Sequence, residues 1–225
     1  MRSREIEEHK QTLKLSPWQR SIIVGTILGD GHLETKNQGR TYRLKIEHSI
    51  KQRFYVDWLY EQFSDWVWTQ PKVKMKKIGE SRLENYGFQT LSVGNFRFYG
   101  QNFYDSKGKK GVPSQIKKWL TPLALAVWFM DDGSAKSKFH RAIILNTHSF
   151  SAKDIKVLMD ALIENFEIVA QIRKQSDGQQ LLIAGQSAER FYEIVQPFVL
   201  PNFEYKFGAL VNTTPKEYRR RSKVS

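Results

Sequence analysis

Two apolar runs in this chain end in the same way. Ile22-Ile23-Val24-Gly25-Thr26-Ile27-Leu28 stops at Gly29-Asp30-Gly31, and Leu125-Ala126-Val127-Trp128-Phe129-Met130 stops at Asp131-Asp132-Gly133. An apolar run of helical length belongs in a core. A carboxylate at its C-terminal end meets the negative pole of the helix dipole. One such ending reads as a helix stop followed by a turn. Two of them, in matching places of a repeated chain, point to a common purpose for Asp30 and Asp132.

The repeat extends around them. Ser16-Pro17 and Thr121-Pro122 each supply an N-cap and a proline at the first helical position, and Gln19 completes a capping box with Ser16. The first motif helix is expected to run to about Asp30. Gly25 and Gly29 then share one face, at a cost of roughly 1 kcal/mol each relative to Ala, so a close backbone neighbour is expected there. Alternation predicts strands over 32–36, Thr41 to His48, Val73 to Ile78 and 86–93, with helices over 51–66 and Asn95 to Tyr104.

In the second half, strands are expected over Arg141 to His148, Val169 to Lys174 and Gln179 to Ala184, the last two around Ser176-Asp177-Gly178. Ser151 and Asp154 cap a helix, and Ser187 to Val199 forms the final one. Matching His48-Ser49 with His148-Ser149 sets an offset of 100, which pairs Tyr55 with Ile155, Trp58 with Leu158, Leu59 with Met159 and Trp66 with Phe166. Each half therefore reads αββαββα. The expected class is α+β, with two pseudo-symmetric halves forming a saddle of antiparallel sheets around two packed motif helices. The expected divisions are an arm over 1–15, a first half over 16–104, a linker over 105–120, a second half over 121–212 and a basic tail over 213–225 containing Arg219, Arg220 and Arg221.

Composition narrows the chemistry. Lys plus Arg number 36 against 23 Asp plus Glu, a net charge of +13. Such an excess suits a polyanion, above all nucleic acid. With no cysteine there is no disulfide, thiol nucleophile or Cys-based zinc site. No secretory signal and no apolar run of membrane-spanning length is seen. The expectation is a soluble intracellular protein of a bacterial cytoplasm or an organelle.

If the two motif helices meet at their ends, Asp30 and Asp132 repel each other when empty and attract a divalent cation. Oxygen donors favour Mg²⁺, with Mn²⁺ able to substitute. The metal set is Asp30 and Asp132 together with the preceding Gly29 and Asp131; Asp131 reads as local polar structure rather than a required ligand. A cation held by two carboxylates, with water and phosphate filling its other positions, cleaves phosphodiesters.

These two runs, with Leu120-Thr121-Pro122 ahead of the second and Ile144-Leu145-Asn146-Thr147-His148-Ser149-Phe150 after it, resemble the single-chain LAGLIDADG homing endonucleases of the omega-intron type. The likeness covers roughly residues 15–210. It implies a monomer acting as a pseudo-dimer, Mg²⁺-dependent cleavage of both strands of a long asymmetric duplex, and intron RNA as a second candidate partner. It also implies catalytic lysines at Lys110, three residues before Pro113, and at Lys206. Val127 and Trp128 depart from the small residues of an ideal second motif.

Cations sit where a DNA-binding sheet would carry them. Gln171, Arg173 and Gln175 share one strand face, Lys72, Lys74 and Lys76 another, and Arg43 with Lys45 a third. Arg and Gln read base edges, whereas lysine rows hold phosphates. Arg40, Lys136, Lys138 and Arg141 complete the set. His48 and His148 read as structural or substrate-adjacent rather than as metal ligands. An RNA maturase or a non-cleaving DNA-binding protein on the same fold is the alternative.

Overall fold

The computed structural model describes residues 2–78, 81–176 and 178–213. Asp177 of the expected turn and the arginines at 219–221 lie outside the described residues. The chain divides into two compact units, residues 1–105 and 106–225.

The first unit begins with α1 (Arg2–Thr12), whose His9 Nε2 lies 2.6 Å from the carbonyl oxygen of Asp65. Within the arm expected over 1–15, residues 2–12 are thus a helix joined to the rest of the unit. α2 (Pro17–Leu28) starts with the anticipated capping box, and every residue from Ser21 to Leu28 is buried. β1 (His32–Glu34), β2 (Arg43–Ser49), β3 (Lys72–Ile78) and β4 (Ser81–Gln89) make an antiparallel sheet ordered β1-β2-β4-β3. α3 (Arg53–Gln62) follows β2, and α4 (Arg97–Phe103) closes the unit. Leu44, Ile46, His48, Tyr86 and Phe88 are buried on one sheet face. Tyr55 and Tyr60 of α3 meet that face, edge-on to His48 and Phe88 at 5.1 and 5.7 Å.

β4 begins five residues earlier than its expected start at 86. Four of the five residues 81–85 are polar, and the remaining one, Leu83, is exposed like Val73 and Met75 of β3, so no buried face imposes an alternating pattern there.

The second unit repeats this order. α5 (Pro122–Asp132) is capped by Thr121, whose hydroxyl accepts from the Ala124 N–H. β5 (Gly133–Ala135), β6 (Ala142–Asn146), β7 (Ala170–Gln175) and β8 (Gly178–Ala184) form a sheet ordered β5-β6-β8-β7. α6 (Ala152–Phe166) carries the Ser151–Asp154 capping box, and α7 (Gln186–Val195) is followed by a 3₁₀ stretch over Pro201–Thr213, kinked at Gly208. That last stretch was not anticipated. It is held by an aromatic cluster in which Phe129 of α5 contacts Phe191 at 5.3 Å and stacks on Phe207 at 4.7 Å.

The αββαββα pattern is present in both units, but the internal alignment needs a correction. Extending the β1–β2 register by one residue sets Gly31 opposite Ile46, whereas Gly133 pairs with Leu145. The equivalent positions are therefore Leu44 and Ile143, Ile46 and Leu145, and His48 and Thr147, all buried. The offset here is 99, not 100. α3 and α6 agree with it, since Val56 and Ile155, Leu59 and Leu158, and Phe63 and Leu162 are each at 0% exposure. A one-residue slip sends every strand side chain to the other face. His148 accordingly lies past the end of β6 and is exposed, so it is not the counterpart of His48.

Candidate functional site

The two acids sit at different points of their helices. α2 ends at Leu28 with Gly29 as its C-cap, so Gly29 is not part of a continuous helical face and Asp30 lies in the turn beyond it. α5 continues through Asp131 and Asp132, and its C-cap is Gly133.

The glycine after each acid has a steric reason. The N–H of Gly31 returns to the carbonyl of Thr26 at 2.8 Å. A Cβ on Gly31 would lie 3.0 Å from the Thr26 Cβ and carbonyl oxygen. On Gly133 it would lie 2.0 Å from the Phe129 ring and 2.5 Å from its carbonyl oxygen. A side chain is excluded at Gly133 and would sit tight at Gly31, which makes Asp-Gly more than a generic turn.

Asp30 has an imidazole beside it. Its Oδ2 stands 3.6 Å from Nδ1 of His48, whose side chain is 3% exposed while that of Asp30 is 52% exposed. Tyr55 packs edge-on against the His48 ring and stacks in turn on Trp58 at 5.9 Å. β2 supplies His48 from its buried face, and the turn after α2 supplies Asp30. The sequence reads His48 as structural or substrate-adjacent and does not reveal this contact. The signal was available in the alternation of β2, which puts His48 on the same face as Leu44 and Ile46. β1, directly after the acid, is further held by its Leu33 N–H donating to the Tyr104 hydroxyl at 2.9 Å; burial pushes that phenol up to about 12.

Asp132 has a different neighbour. Lys206 is buried, and its Nζ donates to the carbonyls of Phe129, Met130 and Asp131 at 3.4, 2.5 and 3.1 Å. Those are carbonyls of the last turn of α5, where helical donors run out; Phe129's also accepts the Gly133 N–H. The ammonium satisfies them and opposes the negative end of the dipole. Lys206 thus caps the helix that carries Asp132, a role its sequence context did not disclose. Lys110 is half-buried in the segment before α5.

The cation faces also resolve. Lys72, Lys74 and Lys76 of β3 lie on the same open face as Arg43 and Lys45 of β2, through the Lys72–Gly87–Glu47 and Lys74–Asn85–Ser49 pairings. Two faces expected to be separate are one. Carboxylates share it. Arg43 Nη2 is 2.6 Å from Glu34 Oε2, and Lys74 Nζ is 3.0 Å from Glu47 Oε2. The Arg43 hydrogen bond holds the Glu34 carboxyl below its usual range, and the Asn85 amide does the same for Glu47 against the effect of burial, with help from Lys74.

In the second unit Gln171, Arg173 and Gln175 share the open face with Gln180, whose Nε2 donates to Asn146 Oδ1 at 2.7 Å. Arg141 is exposed and 3.3 Å from Glu189. Arg40, Lys136 and Lys138 are exposed on the β1–β2 and β5–β6 connections. Among the described residues no helix is long and apolar enough to cross a membrane.

Comparison with known proteins adds to this geometry. The sequence model of the LAGLIDADG DNA endonuclease family matches residues 20–191. The chain is 26% identical over 203 residues to a probable intron-encoded endonuclease of Wickerhamomyces canadensis, covering 88% of this chain and 87% of that protein. It is 29% identical over 200 residues to the cytochrome b mRNA maturase bI2 of Saccharomyces cerevisiae, covering 84% of this chain but 47% of the maturase. Among solved structures, the homing endonuclease I-WcaI bound to its DNA recognition sequence has the same fold, with a TM-score of 0.84, 24% identity and coverage of 90% and 91% of the two chains.

Proposed function

The chain belongs to the LAGLIDADG DNA endonuclease family, and we propose that it is a site-specific homing endonuclease cutting both strands of a long, asymmetric duplex. The observation that carries the reading is the pair of differently supported acids, Asp30 beside His48 and Asp132 on the helix capped by Lys206.

The donor chemistry suits a hard divalent cation. Asp30 is half-exposed, so its carboxylate oxygens can meet both an ion and a phosphate. Asp30 and Asp132 would each offer carboxylate oxygens to Mg²⁺, with Mn²⁺ as a substitute, and Gly29 and Asp131 are the preceding residues of the two motifs. When bound, such an ion polarises the scissile phosphate and lowers the pKa of an attacking water. The protein's own residues orient and neutralise. His48 fixes the rotamer of Asp30, as groups behind metal-binding carboxylates commonly do. Lys206 holds the last turn of α5 and places positive charge next to Asp132. Lys110 is the corresponding candidate in the segment before α5.

Binding falls to the open sheet faces. Lys45, Lys72, Lys74, Lys76, Arg40, Lys136, Lys138 and Arg141 supply phosphate contacts, while Gln171, Arg173 and Gln175 supply base-edge donors and acceptors. Arg43, already paired with Glu34, is held in one orientation towards the same face. One chain carries both acids, so a monomer suffices. Its setting is a bacterial cytoplasm or an organelle.

The test is cleavage of a randomised duplex library with Mg²⁺. Wild type should release a defined product, and Asp30→Asn and Asp132→Asn should each reduce its rate at least a hundredfold while leaving binding intact. Sequence-specific binding without cutting by wild type sinks the nuclease reading. The maturase relative motivates the second reading, in which the preferred ligand is a structured intron RNA; tighter binding of such an RNA than of any selected duplex would favour it.

A further inference from the structure

The β5–β6 connection, residues 136–141, presents an aromatic ring to solvent among cations. Phe139 is 89% exposed, more than any other large apolar side chain among the described residues. Lys136, Lys138, His140 and Arg141 around it are exposed as well. The ring is not on a loose loop. The Lys136 N–H bonds the Ala142 carbonyl at 2.8 Å and closes the base of the connection. Ser137 Oγ accepts from the N–H groups of Phe139 and His140, both at 3.2 Å, and lies 2.7 Å from His140 Nδ1. Beneath it runs the backbone at Gly208, so close that a Cβ there would lie 2.7 Å from the Ala135 Cβ and 3.0 Å from the Ser137 carbonyl oxygen.

The matching connection of the first unit is also tied by side-chain hydrogen bonds, but its one aromatic, Tyr42, is buried. Thr35, Asn37 and Thr41 tie it together, with the Thr41 N–H donating to Asn37 Oδ1 at 3.0 Å. It displays Lys36, Gln38 and Arg40 instead. The second connection therefore adds one apolar plane to an ordered, cationic frame.

Two lysines flanking an exposed ring suit a ligand that is anionic on its outside and aromatic within. Duplex DNA has that chemistry. An apolar protein patch would strip water from the lysines without return. We propose that this connection is a nucleobase contact: Phe139 lies against a base of duplex DNA, and Lys136 and Lys138 neutralise the adjacent phosphates. The inference rests on the DNA-binding reading above and adds a contact outside the sheet faces. Because the frame is already ordered, little conformational entropy is lost when the ring meets a base.

The experiment is a salt series of dissociation constants, with the full chain and the duplex selected from the library. Phe139→Ala should weaken binding about tenfold at every salt concentration, in the range of one lost contact to a base edge in a groove. Its plot of log affinity against log salt should run parallel to wild type, since no charge is removed. Lys136→Ala and Lys138→Ala should each lower the slope by about one. A 2-aminopurine scan of the duplex should show one position whose emission changes on binding wild type but not Phe139→Ala. Thermal melting of Phe139→Ala should match wild type, as the ring has no packing to lose. Wild-type duplex affinity for Phe139→Ala at every salt concentration overturns the contact and leaves the nuclease reading standing. A loss confined to structured RNA overturns it too, and failure of wild type to bind any duplex removes both.

Discussion

The two units share a topology and differ in how they support their acids. In the first, Asp30 stands beyond the end of α2 with a buried imidazole 3.6 Å away. In the second, Asp132 is the last residue of α5, and a buried ammonium holds that helix end. At the position of His48 the second unit has Thr147, whose hydroxyl donates to the Gln179 carbonyl at 2.7 Å. The open faces differ in the same spirit. One mixes lysines with paired carboxylates, and the other is rich in amides around Arg173. A repeated fold fixes where an acid can stand. It leaves the means of holding the acid free to diverge, as an asymmetric target allows.

The sharpest way to break the comparison is at the two glycines. Gly133→Ala drives a methyl into Phe129, at the centre of the aromatic cluster, and should cost about 3 kcal/mol or more. Gly31→Ala meets its neighbours at 3.0–3.2 Å and should cost about 1 kcal/mol, the lower end of overpacking. Urea unfolding measures both; equal losses would mean the two turns are sterically alike.

Next is Lys206→Met, which keeps the stem and removes the donor from three carbonyls. It should cost roughly 2 kcal/mol of stability, the penalty for buried acceptors left unmade. Cleavage should fall even where the protein is fully folded, because the end of α5 that carries Asp132 loosens. Stability loss with undiminished turnover would confine Lys206 to capping.

The third contrast sets His48 against Thr147. His48→Ala should slow cleavage about tenfold with KM little changed, as expected when a group orienting a metal-binding carboxylate is lost. Partial recovery in His48→Gln would mark positioning rather than packing. Thr147→Ala should cost about 1 kcal/mol through its lost hydrogen bond and leave the rate of the folded enzyme alone. Matching kinetic losses at both sites would erase the distinction.

The smallest effect concerns pH. Glu34 and Glu47 titrate below their ordinary value of 4.5 in the folded state. Groups with depressed pKa values stabilise the fold above that value, and the contribution disappears as pH falls through the folded pKa. Melting temperature should therefore be flat from about pH 6 to 5 for these groups and drop below pH 4.5. Glu47→Gln should flatten part of the drop. An unchanged acid limb would mean the Lys74 pair is too well solvated to matter.

Much of this was legible in the residues. Ser16 with Gln19, Thr121 and Ser151 with Asp154 announce helix starts because capping uses a fixed local spacing. The alternation in β2 survives because one of its faces is buried. β4 was partly lost because Ser81 to Asn85 lie on an outer hairpin where burial imposes no pattern. The stretch over Pro201–Thr213 was missed for another reason. Its apolar residues Phe203, Phe207 and Leu210 answer to the aromatic cluster of α5 and α7 rather than to a helical period of their own.

By itself the sequence determined the duplication, the class, the two acids and the cationic character, since each is a matter of local order or composition. Tertiary structure decided the register. His-Ser occurs at both 48–49 and 148–149, and only the pairing of Gly133 with Leu145 shows that this match is one residue out of phase. It also decided that Asp30 answers to His48, that Lys206 reaches back to α5, and that Gly133 admits no side chain while Gly31 is only tightly packed. Those facts depend on which distant backbone passes within a few ångströms. Strand pairing and helix packing set that distance, and no periodicity along the chain records it.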